Sequence, residues 1–177
     1  WYAPNNAILV VSGDITAETL KPLAEKYYGG IAPSPLPARI RPRPAPLAGA
    51  HRFVMEDPRA GQPLLIKAYR APRGSDAVEM LAEAFGGSSA SRLYKTLVVD
   101  KKVAVAAGAD YDPISLNDTM LTVYATPAPG VDVMELEEAV DAQIRALAYG
   151  GLTPEELRGA KSRKKAGRVY YLDSLQG

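Results

Sequence analysis

Residues 75–105, SDAVEMLAEAFGGSSASRLYKTLVVDKKVAV, decide the fold. Ser75 or Asp76 caps a helix whose apolar stripe runs Val78, Met80, Leu81, Ala84 and Phe85, and Gly86-Gly87 stop it. A second helix begins near Ser89 and carries Leu93, Tyr94 and Leu97. From Val103 the apolar period changes from 3.6 to 2, the mark of a strand. Val103–Ala109 and Met120–Ala125 then form a hairpin across the turn-rich DYDPISLND. Amphipathic helices meeting alternating strands give an α+β class, a mainly antiparallel sheet packed against helices. The expected core is Leu81, Phe85, Leu93, Leu97, Val123, Leu136, Val140 and Ile144.

Upstream, Ala7–Ser12 (AILVVS) reads as a buried strand between Asn5-Asn6 and Gly13-Asp14. Leu20, Leu23, Ala24 and Tyr27 mark the helix that follows, which Gly29-Gly30 end. Thr16 is a good cap, but it would place Pro22 inside the helix, so a start near Thr19 is expected. Residues 33–50 hold six prolines around Arg39, Arg41 and Arg43 and read as a linker. His51–Glu56 and Leu64–Tyr69 read as strands separated by DPRAGQP.

Downstream, Asp132 and Glu135 form a capping-box pattern before a helix with Leu136, Val140, Ile144 and Leu147 on one face. Thr153, Pro154 and Glu156 supply cap, N1 proline and N3 glutamate, the strongest helix start in the chain. The run Lys164-Lys165 and Arg168 reads as a solvated helix face.

Composition narrows function mostly by exclusion. The chain has 177 residues, with 21 Lys+Arg against 20 Asp+Glu, so no global field recruits nucleic acid. No apolar run reaches the roughly 20 residues of a membrane helix. Cysteine is absent, which removes thiol chemistry and sulfur ligation. His51 is the lone histidine, where catalytic zinc sites draw on two or three imidazoles. Asp110, Asp112 and Asp118 lack the spacing of a calcium loop and read as turn residues. Gly86-Gly87-Ser88-Ser89 lack the phosphate-loop pattern and read as a helix corner, which leaves a nucleotide-binding domain without its cradle.

Three pieces in this order resemble the pitrilysin-like zinc peptidases, the group that includes insulin-degrading enzyme and the mitochondrial processing peptidases. WYAPNNAILVVSGDI with the helix ending AEKYYGGI resembles the close of their first domain. DAVEMLAEAFGGSSASRLYKTLV resembles their second homologous domain at its Ser-Arg-Leu corner, and GLTPEELRGAK the start of a later helix. The resemblance implies residues 1–32 as the terminal strand and helix of a preceding domain, 33–50 as linker, and 51–177 as the second, non-metal-binding domain. WYAPNN at the start and YLDSLQG at the end read as cut ends, which leaves the compartment unknown between cytoplasm and periplasm. The resemblance implies a missing terminal strand, which Ala7–Ser12 is expected to fill within one chain or between two.

In that family zinc is held by an H-x-x-E-H helix and a further glutamate, and no such string occurs here. Some members add an arginine and a tyrosine after the Ser-Arg-Leu helix to polarise the substrate carbonyl. The matching positions are Leu97, Val98 and Val105, and the two valines offer no donor. Arg92 is not that arginine and reads as a corner-fixing residue. The implied function is therefore a non-catalytic portion of a zinc metalloendopeptidase that lines a peptide chamber. It has no catalytic, substrate-binding or metal residues of its own. Its partners would be the metal-binding domain, and a paralogous subunit or a second copy. The alternative is a structural or partner-binding domain of an inactive homologue.

Overall fold

Local sequence signals account for most of the elements in the computed structural model, which describes residues 2–40 and 45–173. The chain forms two units, Trp1–Gly49 and Ala50–Gly177. The expectations for Arg41 and Arg43, and for the chain beyond residue 173, lie outside the described residues.

The first unit holds a single turn of 3-10 helix at Pro4–Asn6 and helix α1, Ala17–Tyr28. Thr16 caps α1 reciprocally with Thr19, so the helix starts earlier than the proline suggests and Pro22 lies within it. Two satisfied cap donors offset the one ladder bond that Pro22 cannot make to Glu18. Ala7–Ser12 is not a strand. Ile8 and Val10 are 91% and 83% exposed, and among the described residues the segment joins no ladder. A strand needs a neighbour for its backbone groups, and this unit supplies none.

In the second unit, strands β1 (Leu65–Ala71), β2 (Ala104–Tyr111) and β3 (Thr119–Pro127) form an antiparallel sheet in the order β1-β3-β2. The central β3 pairs Val123 with Lys67 on one side and with Ala109 on the other. The expected hairpin of β2 and β3 is present. His51–Glu56, expected as a strand, is exposed and outside the ladder. Helix α2, Asp76–Gly86, is capped by the Ser75 hydroxyl, which accepts from Val78 N–H at 3.3 Å. Helices α3, Val133–Gly150, and α4, Pro154–Asp173, complete the unit. Asp132 caps α3 by accepting from Met134 N–H at 2.7 Å.

The helix expected after Ser89 is in fact a π-helix over Tyr94–Asp100. Its register shows in the Lys101 N–H bond to the Thr96 carbonyl, five residues back. The wider turn is followed by Lys102 in the left-handed region at φ 57°, after which β2 begins.

The core lies between one face of the sheet and the helices: Phe85, Leu93, Leu97, Val123, Leu136 and Val140 are buried together. Ile144 is half-buried at its margin and Leu81 is half-buried. Small residues let these layers close. A Cβ on Gly86 would stand 2.0 Å from the Ala109 backbone nitrogen, so α2 touches β2 main chain to main chain. Leu97→Ala should cost about 2–5 kcal/mol, because a fully buried leucine in a closed layer leaves a cavity. Denaturant melts read this directly, and a loss below about 0.5 kcal/mol would place Leu97 outside the working core.

Candidate functional site

The charged residues singled out by sequence are spent on architecture. Arg92 donates from Nε to Glu156 Oε1 at 2.6 Å, from Nη2 to Glu156 Oε2 at 2.5 Å, and from Nη2 to the Gly151 carbonyl at 2.8 Å. It fixes a corner as expected, and its partner lies 64 residues away. Glu156 also accepts from Thr153 N–H at 2.8 Å, while Thr153 Oγ1 accepts from Glu156 N–H at 3.2 Å. The cap of α4 and the corner before the π-helix thus share one carboxylate. The Arg92 guanidinium holds the Glu156 carboxyl below the usual carboxylate range against the opposing effect of burial.

The basic run on α4 is only partly solvated. Arg163 donates to Glu83 at 2.7 Å and Lys164 pairs with Glu79, which ties α4 to α2. Lys165 and Arg168 remain exposed. These pairs border a polar cleft of about 340 Å³ between α2, β2 and α4, where Asp110 also stands. Ion pairs already engage Glu79 and Glu83, and Asp110, Tyr111 and Tyr124 complete the polar lining.

His51 is exposed, its ring stacked 6.4 Å from Phe53. Asp112 accepts from Ile114 N–H at 2.8 Å in an ordinary turn. Ser88 Oγ accepts from Ala90 N–H at 3.3 Å, and Ser91 Oγ donates to the Ser88 carbonyl at 2.5 Å, so the glycine–serine stretch is a helix corner. Val98 packs against the core, and Val105 stands where the β2 register shifts between Ala104 and Ala106. Among the described residues no group of three or more His, Asp or Glu side chains could hold a metal ion. The donor set of this chain does not fit zinc, and no step can be routed through one here.

The surface left for a ligand is the far face of the sheet. Strand alternation puts Ile66 and Ala68 of β1, Met120, Thr122 and Tyr124 of β3, and Ala106 of β2 opposite the core face. Ile66, Ala68, Met120, Tyr124 and Ala106 are all exposed. The Tyr124 ring lies across Gly108 of the neighbouring strand: a Cβ there would be 2.4 Å from the tyrosine hydroxyl oxygen. The result is a partly apolar face with one aromatic plate, on which Arg70 and Asp110 also fall by register. Sequence reading passed over it, although the alternation in Met120–Tyr124 was the signal.

The comparisons place this geometry in a family. The chain matches the family described as peptidase M16 inactive domain over residues 1–164, and it belongs to that family. It is 24% identical to the zinc protease PqqE of Helicobacter pylori over 98% of this chain and 40% of that protein. A solved protease from Helicobacter pylori superposes with a TM-score of 0.77 at 21% identity, covering 92% of this chain and 40% of the other. A peptidase M16 inactive domain from Pseudomonas fluorescens superposes at 0.60 with 22% identity, covering 88% and 37%. The chain thus spans about 40% of the length of the curated relative it matches. The α+β fold with helices on one face of an antiparallel sheet is that of the family, and the domain is a non-catalytic one. No helix among the described residues is long and apolar enough to cross a membrane.

Glu156→Gln should cost about 1–3 kcal/mol at neutral pH, since Arg92 then faces a neutral acceptor. A carboxyl whose native pKa is lowered contributes stability above its unfolded value, and that contribution is lost as pH falls through the native one. The gap between wild type and variant should therefore shrink as pH drops below 4.5, the ordinary value for the group. Urea melts from pH 7 to pH 3 that show a constant gap would contradict the assignment.

Proposed function

We propose that this domain serves as the non-metal-binding wall of a peptidase chamber, presenting its uncovered sheet face to extended peptides. The single observation that carries the reading is that face: its apolar residues Ile66, Met120 and Tyr124 are exposed, opposite a loaded core face. The similarity to a zinc protease supports peptides as the substrate class. In this reading residues 51–177 form the wall, residues 1–32 close a preceding homologous domain, and 33–50 link the two. The catalytic zinc and its activated water belong to a metal-binding partner domain. Val98 and Val105 contribute shape and no hydrogen bonds, so any carbonyl polarisation comes from that partner or from a paralogous subunit.

A second reading, a partner-binding domain of an inactive homologue, is favoured by the same two valines, because a degenerate relative has no use for donors there. The two readings part on what the face binds.

The purified chain should bind an extended apolar peptide weakly and leave it intact. Ile66→Asp and Tyr124→Ala should each weaken that binding by about tenfold, the effect of placing a charge in, or removing an aromatic from, an apolar contact. Fluorescence titration of a quenched peptide measures both binding and cleavage. Chelator-sensitive hydrolysis that survives repurification, or a tight stoichiometric zinc isotherm, would overturn the proposal. Peptide binding indifferent to both substitutions would move it to the second reading.

A further inference from the structure

The segment before β1 is built like a strand and left off the sheet. Phe53, Val54 and Met55 are 89%, 79% and 89% exposed, three consecutive apolar side chains in solvent. β1 is an edge strand, paired only with β3. An apolar segment and an open edge in the same unit are each a hazard for misassociation. Both are relieved if one covers the other.

One tether holds the segment near that edge, and a local turn follows it. At its start, Arg52 donates from Nη1 to Glu137 Oε1 at 2.9 Å and pairs with Oε2 at 2.7 Å. Lys67 of β1 donates to the same Oε1 at 2.9 Å, so strap and strand are fastened to one carboxylate of α3. At its end, the chain reverses. Ala60 N–H donates to the Asp57 carbonyl at 2.9 Å, and the Arg59 guanidinium clasps the Asp57 carboxylate. A strap followed by a reverse turn and then β1 has the connectivity of an antiparallel hairpin.

We infer that His51–Glu56 is a strap that closes on β1 as a fourth strand. The shared carboxylate sets its parity. Arg52 must lie on the helix-covered face with Lys67, which sends His51, Phe53 and Met55 to the uncovered face. One antiparallel register then matches all six strap residues to β1: His51 with Arg70, Arg52 with Tyr69, Phe53 with Ala68, Val54 with Lys67, Met55 with Ile66, and Glu56 with Leu65. Arg52 stands diagonal to Lys67 in this register, within common reach of Glu137. Met55 joins the row Ile66–Tyr124–Gly108 that already crosses the sheet. Closure satisfies the open edge of β1 and widens the exposed face by two large side chains. The inference rests on the tether and the edge, and it stands whether or not that face receives peptides.

The chain contains no cysteine, so paired substitutions report closure without background. Phe53→Cys with Ala68→Cys places two thiols on facing exposed positions of the uncovered face. Val54→Cys with Ala68→Cys sets them on opposite faces. In the full chain under mild oxidation, the first pair should form an intramolecular disulfide about tenfold faster than the second, because only facing residues bring Cβ atoms within bonding range. Adding Arg52→Gln should slow the first pair several-fold while circular dichroism stays unchanged. Equal rates for the two pairs, a rate indifferent to Arg52→Gln, or links formed between chains through position 68 would each overturn the strap.

Discussion

The second unit depends on a single bidentate pair, Arg92 with Glu156. Arg92 sits at the corner where α2 gives way to the π-helix, and Glu156 is the N3 residue that closes the cap of α4. Through the Gly151 carbonyl the same guanidinium also holds the end of α3. Three helix termini carry unsatisfied backbone groups by construction, and this cluster answers several of them at one point. Charge assistance strengthens each bond, and partial burial shields the pair from solvent. With the corner pinned, Leu93 and Leu97 point into the sheet and the chain enters β2 in the right register.

That corner also explains why the molecule is one-sided. The helices of the core cluster meet the same face of the sheet, where the alanines of β2 and Gly86 of α2 allow close approach. The opposite face keeps exposed apolar side chains, and its Tyr124 and Asp110 border the cleft with α2 and α4. Bare apolar sheet faces are costly unless something covers them in use. Here the exposed row is laid flat by Tyr124 over Gly108, which gives an even surface in place of a set of protruding residues.

Signals that act over three or four residues were legible in the sequence. Ser75, Asp132 and Thr153 cap their helices where expected, and the β2–β3 hairpin follows its period-2 alternation. What escaped is non-local or depends on backbone register. Ala7–Ser12 and His51–Glu56 have strand composition, but a strand exists only with a neighbour, and composition does not supply one. The π-helix hides because Leu93 and Leu97 are spaced as in an α-helix, and the extra residue per turn falls later, before Lys101. Pro22 misled because its lost bond was weighed without the reciprocal Thr16–Thr19 cap. For the site, the Arg92 role was legible in kind but not in partner, since nothing links position 92 to 156 along the chain. The uncovered face is written in the same alternation of β3 that puts Val123 in the core.

The valines at 98 and 105 fit the same physical scheme. Val98 fills the core side of the π-helix, and Val105 occupies an irregular point of β2 where neighbouring backbone pairing shifts. A long polar side chain at Val98 would bring a charge to the margin of a buried cluster and would need a partner there. None of the ion pairs described in this unit faces that position, because Arg52, Lys67, Arg92, Arg163 and Lys164 are each committed elsewhere. Packing therefore disfavours a hydrogen-bond donor at Val98, whereas Val105 is 47% exposed and lacks a donor by sequence alone. What these two positions contribute is packing at Val98 and apolar surface at Val105.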